Sequence, residues 1–336
     1  MKKRNEEQTK IQKVSIHNMT EPDHVKQNHP ERSGLFSALI QQRWIKRLLC
    51  IAVVLTAAIP FLIWQSTGIE LNTLSYQSDH LPQVFHGFKI LQISDLHNNE
   101  YGKGQKKLLQ MTKEAQPDMI AITGDFIDRN DVEHAVDYAR GAVEIAPVFY
   151  VPGNHEAEHR EGYEKLKKEL ISLGVVVLED DSVTLTRADS KIRVIGLLDP
   201  DFSKSENEKE AKDVFAQKLG NSKPDEMFSI LLSHRPELMD VYQSKQVDLA
   251  FSGHAHGGLV RLPGVGALFA IDQDIFPKYT KGLYQEGDTA MVVSGGAGNG
   301  LSSFFRLFNR PELVLTTLYS KPLSVTVEDS TIGSNF

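Results

Sequence analysis

Residues 88–97 read FKILQISDLH, a short apolar run that ends in Asp95 and His97. The same arrangement recurs along the chain. MIAIT (119–123) precedes GDFIDR, VFYV (148–151) precedes PGNHE, FSILLS (228–233) precedes His234, and VDLAFS (247–252) precedes GHAHGG. Further runs lie at VVVLE (175–179) and IRVIGLL (192–198), and ELVLTTLYS and LSVTV near the end read as strands that close a sheet. Helix-like stretches fall between them, at Lys103–Gln116, Val132–Ile145, Gly162–Leu173 and Asn207–Lys218. Near-continuous apolar strands alternating with helices predict an α/β domain whose sheets are covered on both faces. With no internal repeat and no Gly/Ser linker after about residue 85, the expectation is one domain over 85–330.

In open α/β sheets, ligands bind beyond the carboxyl ends of the strands. Asp95, His97, Asp125, Asp128, Arg129, Asn154, His155, His234, His254 and His256 all follow such ends, among them five of the twelve histidines. Imidazole, carboxylate and amide oxygen suit divalent Mn, Fe or Zn. The set has donors enough for two ions, and a carboxylate shared by two ions is the basis of a phosphoryl clamp. Asp95 and His97 are two apart, so a regular strand would point both the same way. Gly124, Gly153 and Gly253 are expected to let the chain turn sharply as each ligand is delivered. Taken singly, each motif has an ordinary explanation: a capped turn, a buried histidine, a solvated loop. GNHE is the most pointed, because a turn calls for Gly-Asn but not for His-Glu.

In this order, D-L-H, G-D-F-I-D-R, G-N-H-E, a lone His and G-H-A-H-G-G resemble the calcineurin-like metallophosphoesterases over about residues 86–320. The apolar N-terminal segment and the RLPG after GHAHGG are similar to the membrane-anchored bacterial YkuE/YaeI-like group. The resemblance implies a four-layer α/β/β/α sandwich of two mixed sheets and a two-metal centre with a bridging hydroxide. It implies that Asp95, His97 and His256 hold one ion, that Asn154, His234 and His254 hold the other, and that Asp125 bridges them. His155 then faces the scissile phosphate without binding metal, Asp128 is its carboxylate partner, and Arg129 contacts phosphate. Leu259 departs from the glutamine frequent after GHxHGG in that group, so a polar substrate contact is expected to be missing there. Specificity is expected in the loops Pro200–Asp225 and Gly264–Gly282, the latter carrying Phe269, Phe276 and Tyr279.

Before this domain the character changes. Residues 48–64, LLCIAVVLTAAIPFLIW, carry no charge and are bracketed by the only two tryptophans, Trp44 and Trp64. At about 1.5 Å per residue the tryptophans lie some 30 Å apart, the thickness of the hydrocarbon layer. Tryptophan favours both interfaces, and Pro60 is tolerated in a spanning helix. Arg43, Lys46 and Arg47 precede the run, which puts the N-terminus in the cytoplasm and the domain outside. The expected organisation is a cytoplasmic, disordered tail (1–43), a transmembrane anchor (44–65), a linker (66–84) and the catalytic domain. Ten Lys/Arg against five Asp/Glu give residues 1–47 a charge of +5, which leaves −12 on the rest. An acidic body argues against a nucleic-acid-binding surface. The only cysteine, Cys50, lies within the apolar run, which excludes a disulfide framework. With no G-x-S-x-G elbow, a serine hydrolase is disfavoured.

The expected partners are thus a phosphoester substrate and a membrane, and the expected activity is metal-dependent phosphoester hydrolysis. Two alternatives stand beside it. One is a pyrophosphatase acting on lipid-linked nucleotide diphosphates. The other is a non-catalytic metal-binding module on a membrane stalk, which would have no use for a non-ligand histidine at 155.

Overall fold

The structure, a computed structural model, describes residues 31–203, 207–223, 226–258, 260–268, 270, 273, 276–298 and 306–321. The expected strand LSVTV (323–327), the chain before residue 31, Leu259 and Phe269 lie outside them. The chain divides into two units, Met1–Thr56 and Ala57–Phe336, and both large sheets belong to the second.

Each large sheet has six strands. The first runs, edge to edge, Glu70–Ser78, Glu312–Ser320, Lys89–Ile93, Met119–Thr123, Val148–Val151 and Val176–Val177, with Glu312–Ser320 antiparallel to Lys89–Ile93 and the other neighbours parallel. The second runs Gly282–Glu286, Thr289–Val293, Leu249–Ser252, Ser229–Leu232, Ser190–Gly196 and Asp181–Arg187, parallel inside and antiparallel at both edges. A small hairpin pairs Arg261–Leu262 with Gly266–Ala267.

Alternation along the strands builds the layers. Ile90, Met119, Ala121, Phe149 and Val151 face Ile192, Val194, Ile230, Leu232, Phe251 and Val292 in a core between the sheets. The intervening residues Leu91, Ile93, Ile120, Ile122 and Tyr150 pack against Leu108, Ala139, Leu166 and Leu170 of the helices Lys106–Ala115, Glu133–Ala142 and Arg160–Ser172. Across the second sheet, Ile195, Leu231, Ala250 and Met291 meet Phe215 and Leu219 of Glu208–Ser222 and Tyr242 of Met239–Ser244. Full burial of each large aliphatic or aromatic side chain is worth roughly 1.5–3 kcal/mol. The result is the expected four-layer α/β/β/α arrangement of two mixed sheets.

Several expectations change. Glu70–Ser78, inside the stretch read as a linker (66–84), is an edge strand paired with Glu312–Ser320 over its whole length. Its sequence, ELNTLSYQS, alternates only weakly because an edge strand with one solvated face needs few apolar residues. The tail expected to reach residue 43 is helical from Glu31, in one helix that runs to Thr67. Within it, Ile40–Thr67 is long and apolar enough to cross a membrane, with mean hydropathy 2.3 and little of that window buried. Thr56 donates its hydroxyl to the Ala52 carbonyl at 2.7 Å, so the one polar side chain inside the apolar run is satisfied within the helix.

Candidate metal centre

The loops that leave the carboxyl ends of the central strands converge. Asp95, His97, Asp125 and His256 each bring one ligand atom within 4.8 Å of the others, as do Asp125, His234 and His254 in a second group. Asp125 belongs to both. A third group joins His97, Asp128 and His155.

Strand geometry does not deliver these ligands. Lys89–Ile93 ends before Asp95, and Asp95 and His97 both adopt left-handed backbone, with φ of 50° and 49°. Asp125, His254 and His256 do the same. Such conformations cost of order 1–3 kcal/mol each and persist where the surroundings over-determine them. The expectation that Asp95 and His97 share a direction by strand alternation is therefore wrong in its reason, although the two do meet. The glycine reading is also partly corrected. Gly124 has φ +86° as a sharp turn requires, but Gly153 and Gly253 lie outside the left-handed region. They supply space: a Cβ on Gly153 would stand 2.3 Å from Asp125 Oδ1, and one on Gly253 would stand 1.9 Å from Ser94 Oγ.

The surrounding hydrogen bonds orient the ligands. His234 donates from Nδ1 to the Thr123 carbonyl at 2.7 Å, which turns Nε2 toward Asp125 Oδ2 at 3.2 Å. The Asp95 carboxylate accepts the His254 backbone N–H at 3.0 Å, and Asn309 donates to the His256 carbonyl at 2.7 Å. Asp128 Oδ1 stands between two imidazoles, 3.3 Å from His97 Nδ1 and 3.2 Å from His155 Nδ1. Arg235, held by Asp199 at 2.7 Å, places Nη1 3.2 Å from His254 Nε2, and Arg306 places Nη2 3.4 Å from His256 Nδ1.

Three observations test whether cations fit here. His97 Nε2 and His256 Nε2 face each other at 3.1 Å, so two lone-pair positions converge on one point among carboxylates. His234 Nε2 and Asn154 Oδ1 are buried and have no hydrogen-bond partner among the described residues. The donors are all nitrogen and oxygen, as borderline divalent ions prefer. The residues fit.

Protonation follows the same logic. Burial opposes charge on His234, but Asp125, Asp95 and Asp199 outweigh it and hold the imidazole up at about 10. His97 is likewise raised against its burial by Asp128, Asp125 and Asp95. His256 is pushed well below its ordinary value by burial, then by His97 and Arg306. Asp125 is driven well below the carboxylate range despite its burial, through His234, His97 and His155.

Sequence reasoning singled out GNHE but left Glu156 without a role. Fully buried, its carboxylate accepts the backbone N–H groups of Asp125 (2.9 Å), Phe126 (2.7 Å), Ile127 (3.1 Å) and Gly153 (2.7 Å). It splints the GDFI loop to the GNHE turn. Glu156→Ala leaves four buried donors without partners, each costing about 1–3 kcal/mol. The expected outcome is a loss of at least about 3 kcal/mol in denaturant unfolding of the metal-free chain. A change under about 1 kcal/mol would mean that water replaces the carboxylate without loss. Arg235, Arg306 and Asn309 were also missed. Arg235 adjoins His234, which was a usable signal, whereas Arg306 and Asn309 come from a distant segment. Arg129, next to Asp128, is exposed.

A two-sheet sandwich with clustered His and Asp donors at its strand ends defines a metal-dependent hydrolase of phosphoesters. The family model for calcineurin-like phosphoesterase matches residues 88–258, and the chain belongs to that family. Its relatives include the metallophosphoesterase YkuE of Bacillus subtilis, 30% identical over 75% of this chain and 86% of that protein. Phosphodiesterase YaeI of Escherichia coli is 28% identical over 69% of this chain and 82% of its own length. UDP-2,3-diacylglucosamine pyrophosphatase LpxG of Chlamydia muridarum is 25% identical over 79% and 95%.

Proposed function

We propose that the protein is a membrane-anchored phosphoesterase that works with two divalent ions. The observation that carries this is the sharing of Asp125 between two groups of converging donors. Asp95, His97 and His256 would hold one ion, Asn154, His234 and His254 the other, and Asp125 both. Ions so held supply an activated water and neutralise the phosphoryl oxygens.

The chain's own residues do the rest. His155, a quarter exposed, rests its Nδ1 on Asp128 while its Nε2 stands 3.9 Å from Asp125 Oδ2, where it can give a proton to the leaving oxygen. Asp128 holds the proton on Nδ1 and also steadies His97 from behind its ring, as carboxylates behind metal-binding imidazoles do. Arg129, which follows Asp128 directly and is exposed, would contact phosphate. The anchor is Ile40–Thr67, and Arg43, Lys46 and Arg47 before the run support a cytoplasmic N-terminus with the hydrolase outside.

Chelation followed by readdition of Mn²⁺, Fe²⁺ or Zn²⁺ to the full chain in detergent tests the reading. Hydrolysis of bis(p-nitrophenyl) phosphate should vanish and return. Activity that survives complete metal removal would refute it. Protons should also compete with metal. His234 is held up at about 10 in the metal-free cluster, so its protonated form dominates at and below neutral pH and must be displaced on loading, and His97 is raised in the same direction. Adding Mn²⁺ at pH 7 should therefore release protons, and occupancy should fall steeply below about pH 6. Uptake without proton release would contradict those protonation states.

The likeness to LpxG favours a second reading, a pyrophosphatase acting on a lipid-linked nucleotide. Sidedness separates the two, since nucleotide-activated lipids are cytoplasmic. Protease added to wall-free cells should digest the body under the first reading and spare it under the second.

A further inference from the structure

The apolar helix does not end on a flexible stalk. Only Gly68 and Ile69 separate its last residue, Thr67, from the edge strand that begins at Glu70. The join is latched. Arg310 lies over the Trp64 ring at 4.5 Å, donates from Nε to the Gly68 carbonyl at 2.7 Å and pairs with Glu70 at 2.9 Å. The Arg306 N–H bonds Ser66 Oγ at 3.2 Å, and the Phe308 ring lies tilted against Phe61 with ring centroids 6.0 Å apart.

Sheet register places this join at the metal end of the sandwich. Glu70 pairs with Glu312, whose strand meets Lys89–Ile93 with Val314 opposite Gln92. The helix exit therefore lies level with the loop that carries Asp95, two strands away, or about 10 Å at the usual strand spacing. The segment 306–310 spans the gap: Asn309 and Arg306 touch His256 on one side while Phe308 and Arg310 touch the helix on the other.

Beside Phe308 stands the small hairpin, joined to it through Arg261 N–H and the Leu307 carbonyl at 3.0 Å. The hairpin presents Leu262 (39% exposed) and Val265 (60%); Phe276, whose N–H bonds the Leu268 carbonyl just after it at 3.0 Å, is 64% exposed, and Phe308 is 49% exposed. Phe276 and Phe308 both have left-handed backbone, φ 60° and 51°, a costly conformation for a bulky residue. This exposed apolar rim meets the membrane-length helix through Phe308 and Phe61, and the bilayer that the helix would enter is the occupant that fits it. Scattered exposed apolar residues are ordinary, but a contiguous patch marks an interaction surface.

We infer that the hairpin Arg261–Ala267, with Phe276 and Phe308, seats in the bilayer beside the helix end. The metal centre then opens at the membrane surface and takes phosphoesters carried on amphiphiles of that leaflet. This rests on the reading of the helix as a membrane anchor and of the cluster as a phosphoesterase centre. Aqueous substrates react from the same centre but gain nothing from the seat.

The test uses the full chain in vesicles of phosphatidylcholine and phosphatidylglycerol. In a Cys50→Ser background, an environment-sensitive fluorophore is placed at Val265→Cys or, as the remote control, at Asp189→Cys in the turn at the opposite end of the sandwich. Nitroxide-labelled lipids should quench the probe at 265 and not the one at 189. Equal, weak quenching at both would overturn the seat. A kinetic arm compares phosphatidyl-p-nitrophenol in the vesicles with soluble bis(p-nitrophenyl) phosphate, which share a leaving group. Val265→Asp should lower turnover of the vesicle-borne ester about tenfold, by placing a charge where the surface enters lipid, and leave the soluble ester within about twofold. Equal effects on both esters would overturn the inference. A wild-type chain that is quenched at 265 yet hydrolyses neither ester would sustain the seat and refute the phosphoesterase reading.

Discussion

Asp125→Ala is expected to empty both metal positions at once. Its Oδ2 stands 3.2 Å from His234 Nε2 in one group and 3.9 Å from His97 Nε2 in the other, so one carboxylate serves both. Without it, the imidazoles of each group lose the negative charge that offsets a divalent ion. Even residues behind metal ligands typically cost about 10–100-fold in metal affinity or activity, and a shared ligand should exceed that range. Elemental analysis should show both ions depleted, with hydrolysis lowered by more than about a hundredfold. Asn154→Ala is the comparison: it should deplete one ion and spare the other. Full occupancy of both positions in Asp125→Ala would rule out the shared-ligand arrangement.

His155→Ala should do the opposite, keeping metal while losing rate. The ring lies against Asp128 and belongs to neither donor group built on Asp125; its backbone N–H bonds Asp125 Oδ1 at 3.0 Å, and its Nε2 stands 3.9 Å from Asp125 Oδ2. A general acid is typically worth about 10²–10⁴-fold, so kcat on an alkyl phosphodiester should fall by that factor. The loss should shrink for nitrophenyl esters, whose leaving group departs without a proton. Metal loss in His155→Ala would make residue 155 a ligand, and unchanged kcat on every ester would remove the acid role. Asp128→Asn should not be merely a weaker copy. Asp128 Oδ1 stands 3.3 Å from His97 as well as 3.2 Å from His155, so metal affinity and turnover should both drop.

Much of this centre was legible in the sequence because ligands at the ends of parallel strands follow apolar runs that are easy to see. MIAIT and VFYV are buried at every position, and their ends coincide with the strands Met119–Thr123 and Val148–Val151. Two of the edge strands were not legible. Glu70–Ser78 and Asp181–Arg187 each leave part of their length to solvent, so no apolar run marks them. The hydrogen-bonding partners of the site were equally hidden. Glu156 acts on backbone groups some thirty positions earlier, and Arg306 and Asn309 act on His256 from about fifty positions later.

The sequence by itself determined most of the buried strands and the helices between them, the donor types and the apolar helix, because each is written in local pattern: burial on both faces, residue chemistry, unbroken apolar length; it did not mark the central strand Thr289–Val293. Tertiary structure alone decided which donors meet and how. The left-handed turns at Asp95, His97, Asp125, His254 and His256, and the space kept by Gly153 and Gly253, are imposed by neighbours remote in the chain. Tertiary structure also decided that the helix joins the catalytic sheet directly. That join depends on Glu70 pairing with Glu312 and on Arg310 reaching back to Trp64, contacts between residues about 240 positions apart that no local pattern encodes.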